Sequence, residues 1–273
     1  MKKVFVTGGF DDLRSRQVRF LEAASQFGEL HVLVWADEVI NELNGKPPKF
    51  PLAERIYLLQ GIRYISNVTV WNSPVKRDTL PYPNGTKPDV WVVDEADDND
   101  QKKLFCAAFG IDYQVIKDAE LRGWPIKRFD ALEEPSGHKK VFVTGCFDWL
   151  HSGHVRFFEE VSQLGDLYVA VGHDQNIQLL KGAGHPMFSQ DERLYMVQAI
   201  RYVKGALITS GHGWMDAEPE IELLKPDIYV VNEDGDVPEK RAFCAKHGME
   251  YVVLKRAPKD GLPQRESTVL RGF

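Results

Sequence analysis

Two stretches far apart in this chain carry nearly the same residues, and that repetition limits the fold more than any compositional value does. VFVTG stands at 4–8 and again at 141–145, an offset of 137. ERIYLLQGIRYI (54–65) is answered by ERLYMVQAIRYV (192–203), and KPDVWVVDE (87–95) by KPDIYVVNE (225–233), both at an offset of 138. One single-residue insertion accounts for the change. A unit of this size is a domain rather than a solenoid repeat, so the reading is an internal duplication. The expected domains are 1–134 and 139–273, with EEPSGHKK (133–140) as the linker because Pro, Ser and Gly fall together there.

Within each half the elements come in one order. VFVTG and LYVAVG are short β-rich runs, and WLHSGHVRFFEEVSQLG between them has helical spacing and stops at Gly165. Helices follow at about 190–202, 218–224 and 238–247, alternating with strands at ALITS, DIYVVN and EYVVLK. Strands alternating with helices predict an α/β fold, here two tandem Rossmann-like, doubly wound parallel sheets. In such sheets a ligand lies beyond the carboxyl ends of the strands, beside the switch in strand order. The segment after VFVTGCFD belongs there.

That segment is where the copies part. Residues 4–22 and 141–159 agree at 13 of 19 positions, and three of the six differences are Arg14/His151, Arg16/Gly153 and Gln17/His154. Packing gives no reason to vary those three and keep their surroundings, so the difference points to chemistry. His151 and His154 project to one side of a helix's first turn. Gly153 permits close backbone approach, and the helix N-terminus favours an anion. Together they form a cradle for a phosphate chain, suited to transfers that need positioning and aimed donors more than covalent help. No third metal ligand stands at a sensible spacing and no GxxxxGK[ST] occurs, which leaves neither a zinc site nor a P-loop.

TGCFDWLHSGHVRF resembles the HxGH signature of the cytidylyltransferase-like nucleotidyltransferase superfamily. VGHDQNIQLLKG resembles its second strand and the Asp-containing loop leading to a catalytic lysine, here Lys181; HPMFSQDERLYMVQAIRYV resembles its E-R block, and QRESTVLRG its closing S-T motif. The order of these motifs covers the whole second half, and the tandem form is similar to ethanolamine-phosphate cytidylyltransferases. The resemblance implies two domains of nucleotidyltransferase type and attack by a small phosphorylated alcohol on CTP, with pyrophosphate leaving. Phosphoethanolamine is the favoured acceptor and glycerol 3-phosphate the next. An adenylyltransferase using ATP on a sugar phosphate is the alternative, and a non-catalytic nucleotide sensor or scaffold the second. His151, His154 and Lys181 would be catalytic. Gly145, Cys146, Phe147, Gly153, Asn232, Arg265, Ser267 and Thr268 would bind the nucleotide; Asp174, Arg201 and Arg256 are candidates for the acceptor. Arg265 stands nearer the S-T pair than Arg256 and is preferred for the phosphates. Mg²⁺ would arrive with the triphosphate, and no dedicated protein metal site is expected.

The first half serves as an internal control. Asn44 aligns with Lys181, and GWPIKRFD (123–130) aligns with GLPQREST (261–268), so Phe129 and Asp130 replace Ser267 and Thr268. All three phosphate-handling clusters are missing together, which predicts a degenerate domain kept as a partner surface, an intramolecular pseudo-dimer with further homo-oligomerisation open. A net charge of −6 gives no general surface for nucleic acid, and no apolar run reaches 18 residues, so neither nucleic acid nor membrane insertion is expected. Three cysteines with no zinc spacing suit a reducing cytoplasm; Cys106 and Cys244, in matching FCAAFG and FCAKHG, read as small buried helix residues.

Overall fold

The computed structural model describes residues 1–72, 77–82, 85–127 and 136–270, the side chain of Thr268 excepted. The chain forms two compact units, Met1–Gly123 and Trp124–Phe273. The division falls ahead of the linker expected at 133–140. Lys127 goes with the second unit because it exchanges two hydrogen bonds with Gln198, its N–H donating to Oε1 at 3.0 Å and its carbonyl accepting from Nε2 at 2.7 Å. Residues 128–135, which hold the start of that linker, lie outside the described residues.

In the first unit the elements are β1 (Lys3–Gly8), α1 (Ser15–Ser25), β2 (Glu29–Trp35), α2 (Asp37–Asn44), α3 (Leu52–Gly61), β3 (Asn67–Trp71), β4 (Val90–Asp94), α4 (Asp100–Phe109) and β5 (Asp112–Ile116). The second unit has β6 (Lys140–Gly145), α5 (Ser152–Val161), β7 (Asp166–Val171), α6 (Asp174–Lys181), α7 (Gln190–Gln198), β8 (Val203–Ile208), α8 (Glu218–Leu224), β9 (Ile228–Asn232), α9 (Pro238–Lys246), β10 (Glu250–Leu254) and α10 (Ser267–Leu270). Each unit carries a five-stranded sheet, all of whose paired strands are parallel, ordered β3-β2-β1-β4-β5 in one and β8-β7-β6-β9-β10 in the other. The α/β class and parallel sheets expected from the alternating pattern are present.

Central strands buried on both faces explain the unbroken apolar runs: Val4, Phe5 and Val6, like Val141, Phe142 and Val143, are at most 1% exposed. Gly165 ends the turn after α5 as expected, for a reason of space. A Cβ there would lie 2.2 Å from the carbonyl oxygen of Lys139. Cys106 and Cys244 are each 1% exposed on α4 and α9, and burial pushes both thiols up to about 11. The segment expected as a loop before Lys181 is instead the helix α6, capped by His173, whose Nδ1 accepts from Asn176 N–H at 3.2 Å.

One detail of register makes the site. β6 pairs with β7 over six positions, from Lys140 to Gly145, but with β9 over only two, Val141–Ile228 and Phe142–Tyr229. The strands then diverge and leave a crevice at the switch point. No helix among the described residues is long and apolar enough to cross a membrane.

Candidate functional site

The crevice opens into a cavity of about 230 Å³. From β6 the chain enters it through Gly145, Cys146 and Phe147. Phe147 holds a left-handed φ of 51°, which folds its ring back over Gly145; a Cβ on Gly145 would meet that ring at 2.7 Å. Asp148 is 6% exposed and accepts from Met187 N–H at 2.7 Å and Phe188 N–H at 3.1 Å, tying this turn to the segment before α7.

His151 is the N-cap of α5: its Nδ1 accepts from Gly153 N–H at 3.1 Å, which assigns the ring proton to Nε2 as a donor. The ring lies so close that a Cβ on residue 153 would stand 2.9 Å from it. Gly153 is therefore required by the capping histidine itself, in addition to the ligand approach argued above. His154 stacks on His151 with ring centroids 4.0 Å apart and meets Phe147 edge-on at 5.4 Å. Its Nδ1 is buried with no hydrogen-bond partner among the described residues. Burial, then the neighbouring His151, Arg256 and Lys181, hold His154 well below its ordinary pKa of 6.5, so it is neutral near pH 7. The same surroundings that repel a proton attract an anion.

Lys181, the last residue of α6, reaches the cavity from the β7 side. Asn232, at the end of β9, and Arg256, after β10, line the other side with Ser267. Arg256 pairs with Asp234 at 2.5 Å, and its Nη2 donates to the Arg265 carbonyl at 3.4 Å. Ser267 Oγ donates to the Trp149 carbonyl at 3.3 Å, fastening the C-terminal segment to the loop before α5. Ten of the residues named from the sequence thus line one cavity: Gly145, Cys146, Phe147, His151, Gly153, His154, Lys181, Asn232, Arg256 and Ser267.

Of the other four, three do not enter the lining among the described residues. Arg265, preferred over Arg256, lines a small neighbouring cleft with Arg156 and Pro263, a cleft that Arg256 also lines, while Arg256 reaches the cavity itself. Arg256 follows β10, whose end carries it to the cavity wall. Asp174 is held by Arg193 at 2.8 Å and lies in a separate open depression with His173, Ser189 and His212. Arg201 is exposed in the turn after α7. The side chain of Thr268 lies outside the described residues.

Sequence reasoning named the E-R pair and gave it no work. Arg193 is 1% exposed and donates to the carbonyls of Phe188 (3.0 Å), Cys146 (2.6 Å) and Gly172 (2.7 Å) as well as to Asp174. Arg55 in the first unit makes the same set, to Phe50, Gly9, Trp35 and Asp37. A residue doing the same thing in both units is a frame, and its recurrence in both copies of the sequence is the signal. Asp234 also lines the cavity, as do Lys240 and His185, which were not anticipated.

The first unit has a cavity of about 280 Å³ at the equivalent crevice, where among the described residues Arg16 is the one cation in the lining. Arg14 caps α1 and pairs with Asp12, while its N–H donates to Gln17 Oε1 at 3.0 Å. Arg16, in the place of Gly153, donates to Asp118 at 2.6 Å and stands 3.8 Å from Asp94; the bond to Asp118 raises its pKa further. Asn44 closes α2 where Lys181 closes α6. Phe129 and Asp130 lie outside the described residues.

A model of the family described as cytidylyltransferase-like matches residues 142–258. An FAD synthase of Aciduliprofundum boonei is 36% identical over 119 residues, 42% of this chain and 76% of that protein. One of Ferroglobus placidus is 35% identical over 126 residues, 45% of this chain and 79% of that protein. The bifunctional protein HldE of Syntrophotalea carbinolica is 35% identical over 107 residues, 38% of this chain and only 21% of its own length. Among solved structures, a lipopolysaccharide core biosynthesis protein from Thermoplasma volcanium is 26% identical, with a TM-score of 0.38 over 45% of this chain and all of its own.

Proposed function

The chain belongs to the cytidylyltransferase-like family, and from that membership and the cavity we propose that its second unit transfers a nucleotidyl group to a small phosphorylated acceptor. The observation that carries this is the stacked His151–His154 pair, at 4.0 Å, inside a cavity that also gathers Lys181 and Arg256. In the reaction an acceptor phosphate oxygen attacks the α-phosphorus of a nucleoside triphosphate. The bond from that phosphorus to the bridging oxygen breaks, and pyrophosphate leaves with the electron pair. His151 Nε2–H and the neutral His154 donate to oxygens on which charge grows, and Lys181 and Arg256 neutralise the phosphates as fixed cations. Mg²⁺ enters as part of the triphosphate substrate, held by phosphate oxygens. Asp234 lines the same cavity but is engaged by Arg256.

The relatives favour ATP over the CTP that the first resemblance suggested. An FAD synthase, by its name, makes an adenine dinucleotide, so the group it adds is adenylyl. The acceptor is accordingly read as a sugar phosphate or a related phosphate; nothing in the relatives' names supports phosphoethanolamine or glycerol 3-phosphate. We further read the two units as copies of one domain. Their shared strand order and the repeated arginine frame support this. The first unit, its arginines cancelled by Asp12, Asp94 and Asp118, is read as non-catalytic.

The deciding experiment is pyrophosphate release from the full chain with Mg²⁺, ATP or CTP, and a panel of phosphorylated sugars and alcohols. Release with ATP and a sugar phosphate supports the proposal. Release only with CTP returns the base to cytosine, and no release with any pair removes transferase activity from the reading.

A further inference from the structure

Lys240 stands in the cavity wall and has no role in the chemistry above. It is the third residue of α9, and the third residue of α4 in the first unit is also a lysine, Lys102. Lys102 is 1% exposed and fully partnered: its Nζ donates to the Asp97 carbonyl at 2.9 Å and to Asp97 Oδ1 at 3.0 Å, with Asp78 Oδ1 at 3.5 Å. Lys240 makes the equivalent backbone bond, to the Gly235 carbonyl at 3.0 Å. Where Asp97 supplied a carboxylate, however, the second unit has a glycine.

No carboxylate forms an ion pair with Lys240 among the described residues. The two acids whose charge reaches it most strongly are committed elsewhere, Asp234 to Arg256 at 2.5 Å and Asp236 to Arg241 at 2.5 Å. Burial holds the Lys240 ammonium below the ordinary lysine pKa, and those acids offset only part of that. A half-buried cation without an anion is unfavourable in the resting protein and becomes favourable when an anionic ligand completes it.

Position says which anion. The sheet runs β10-β9-β6-β7, so α9 and the segment after β10 stand on one side of the histidine pair, and α6 with Lys181 stands on the other. In-line transfer puts anionic oxygens on both sides of the α-phosphorus, incoming on one and leaving on the other. Arg256 and Ser267 follow β10 and line the cavity with Lys240, so this is the side reached by the S-T segment that is read as binding the nucleotide phosphates. We propose that Lys240 binds the pyrophosphate portion of the nucleotide, as a third cation on the leaving-group side of the cavity. This rests on the reading of the cavity as a nucleotidyl-transfer site.

The test uses the full-length wild-type chain and Mg²⁺-pyrophosphate as the probe. Amines are acylated with limiting reagent at about pH 8, where a lysine of depressed pKa reacts ahead of ordinary ones, and Lys240 is followed by peptide mass spectrometry. Saturating pyrophosphate should slow its acylation by about tenfold or more, as an ammonium engaged by a phosphate is withdrawn from reaction. Adenosine should leave it unchanged. In parallel, Lys240→Met should weaken pyrophosphate binding by about tenfold in titration calorimetry, with Lys240→Arg recovering part of the loss. Protection by adenosine alone, or none by pyrophosphate, would overturn the proposal, as would wild-type pyrophosphate affinity in Lys240→Met. Neither readout needs turnover, so a failure of the transfer reaction and a failure of this assignment are told apart.

Discussion

Two stacked imidazoles beside an arginine and a lysine make a place where an added proton is unwelcome, and that has a measurable sign. His154 has its folded pKa below 6.5, so as pH falls the unfolded chain takes up the proton first. The stability tied to this residue is therefore present above the ordinary histidine range and lost as pH drops through it. Unfolding by urea at about pH 7.5 and about pH 5.5 should show a larger loss for wild type than for His154→Gln; equal losses would count against a neutral, desolvated ring. The same residue should matter to rate. His154→Ala is expected to lower pyrophosphate release by about a hundredfold or more, the usual effect of losing one aimed donor, about 3 kcal/mol. Gly153→Ala separates chemistry from folding. Alanine gains up to about 1 kcal/mol of helix propensity, and displacing the His151 cap loses about 1 kcal/mol. Stability should thus barely move while turnover falls by more than about tenfold, since misplaced catalytic groups are penalised steeply. The HSGH motif was legible in the sequence because its twin differs there; the packing of His151 on Gly153 was not, because ring orientation leaves no trace in spacing.

Among the elements, the arginine frame is where the sequence was read too lightly, and that frame holds Asp174 outside the cavity lining. Arg193 joins the ends of β6 and β7 to the start of α7 through three carbonyls and Asp174. Arg193→Met strands those acceptors in the interior and should destabilise the second unit by about 3 kcal/mol or more, seen as an earlier urea transition for that unit. Asp174→Asn should cost less than Arg193→Met, since position 174 is 41% exposed, the amide oxygen can still accept from Arg193, and the three carbonyl bonds of the frame remain. A selective rise in the acceptor KM for Asp174→Asn would restore it to the acceptor site. The strands and longer helices could be read from periodicity because their buried positions are regular. α6 could not: Ile177 is buried, but Leu179 and Leu180 are 69% and 54% exposed, so its apolar residues do not mark a face.

At the scale of the whole molecule the two units differ in charge balance more than in framework, and repairing one position in the first should not revive it. Asn44→Lys, made in a His154→Ala background, should add no pyrophosphate release, because Arg16 stays bound to Asp118 and Gln17 still accepts from the Arg14 N–H; measurable release would mean that the first unit is active. The strand register carries a different lesson, about where the second unit would tear. β6 is laced to β7 at six positions and to β9 at only two. A sheet pulled or shaken parts along its least laced line, and here that line runs beneath the histidines. Backbone amides along β9 should exchange with deuterium sooner than those of β7. A nucleotide held on one bank by Lys181 and on the other by Arg256 would span the gap like a rivet and slow that exchange. The weakest join in the framework and the place built to hold a substrate are then the same place.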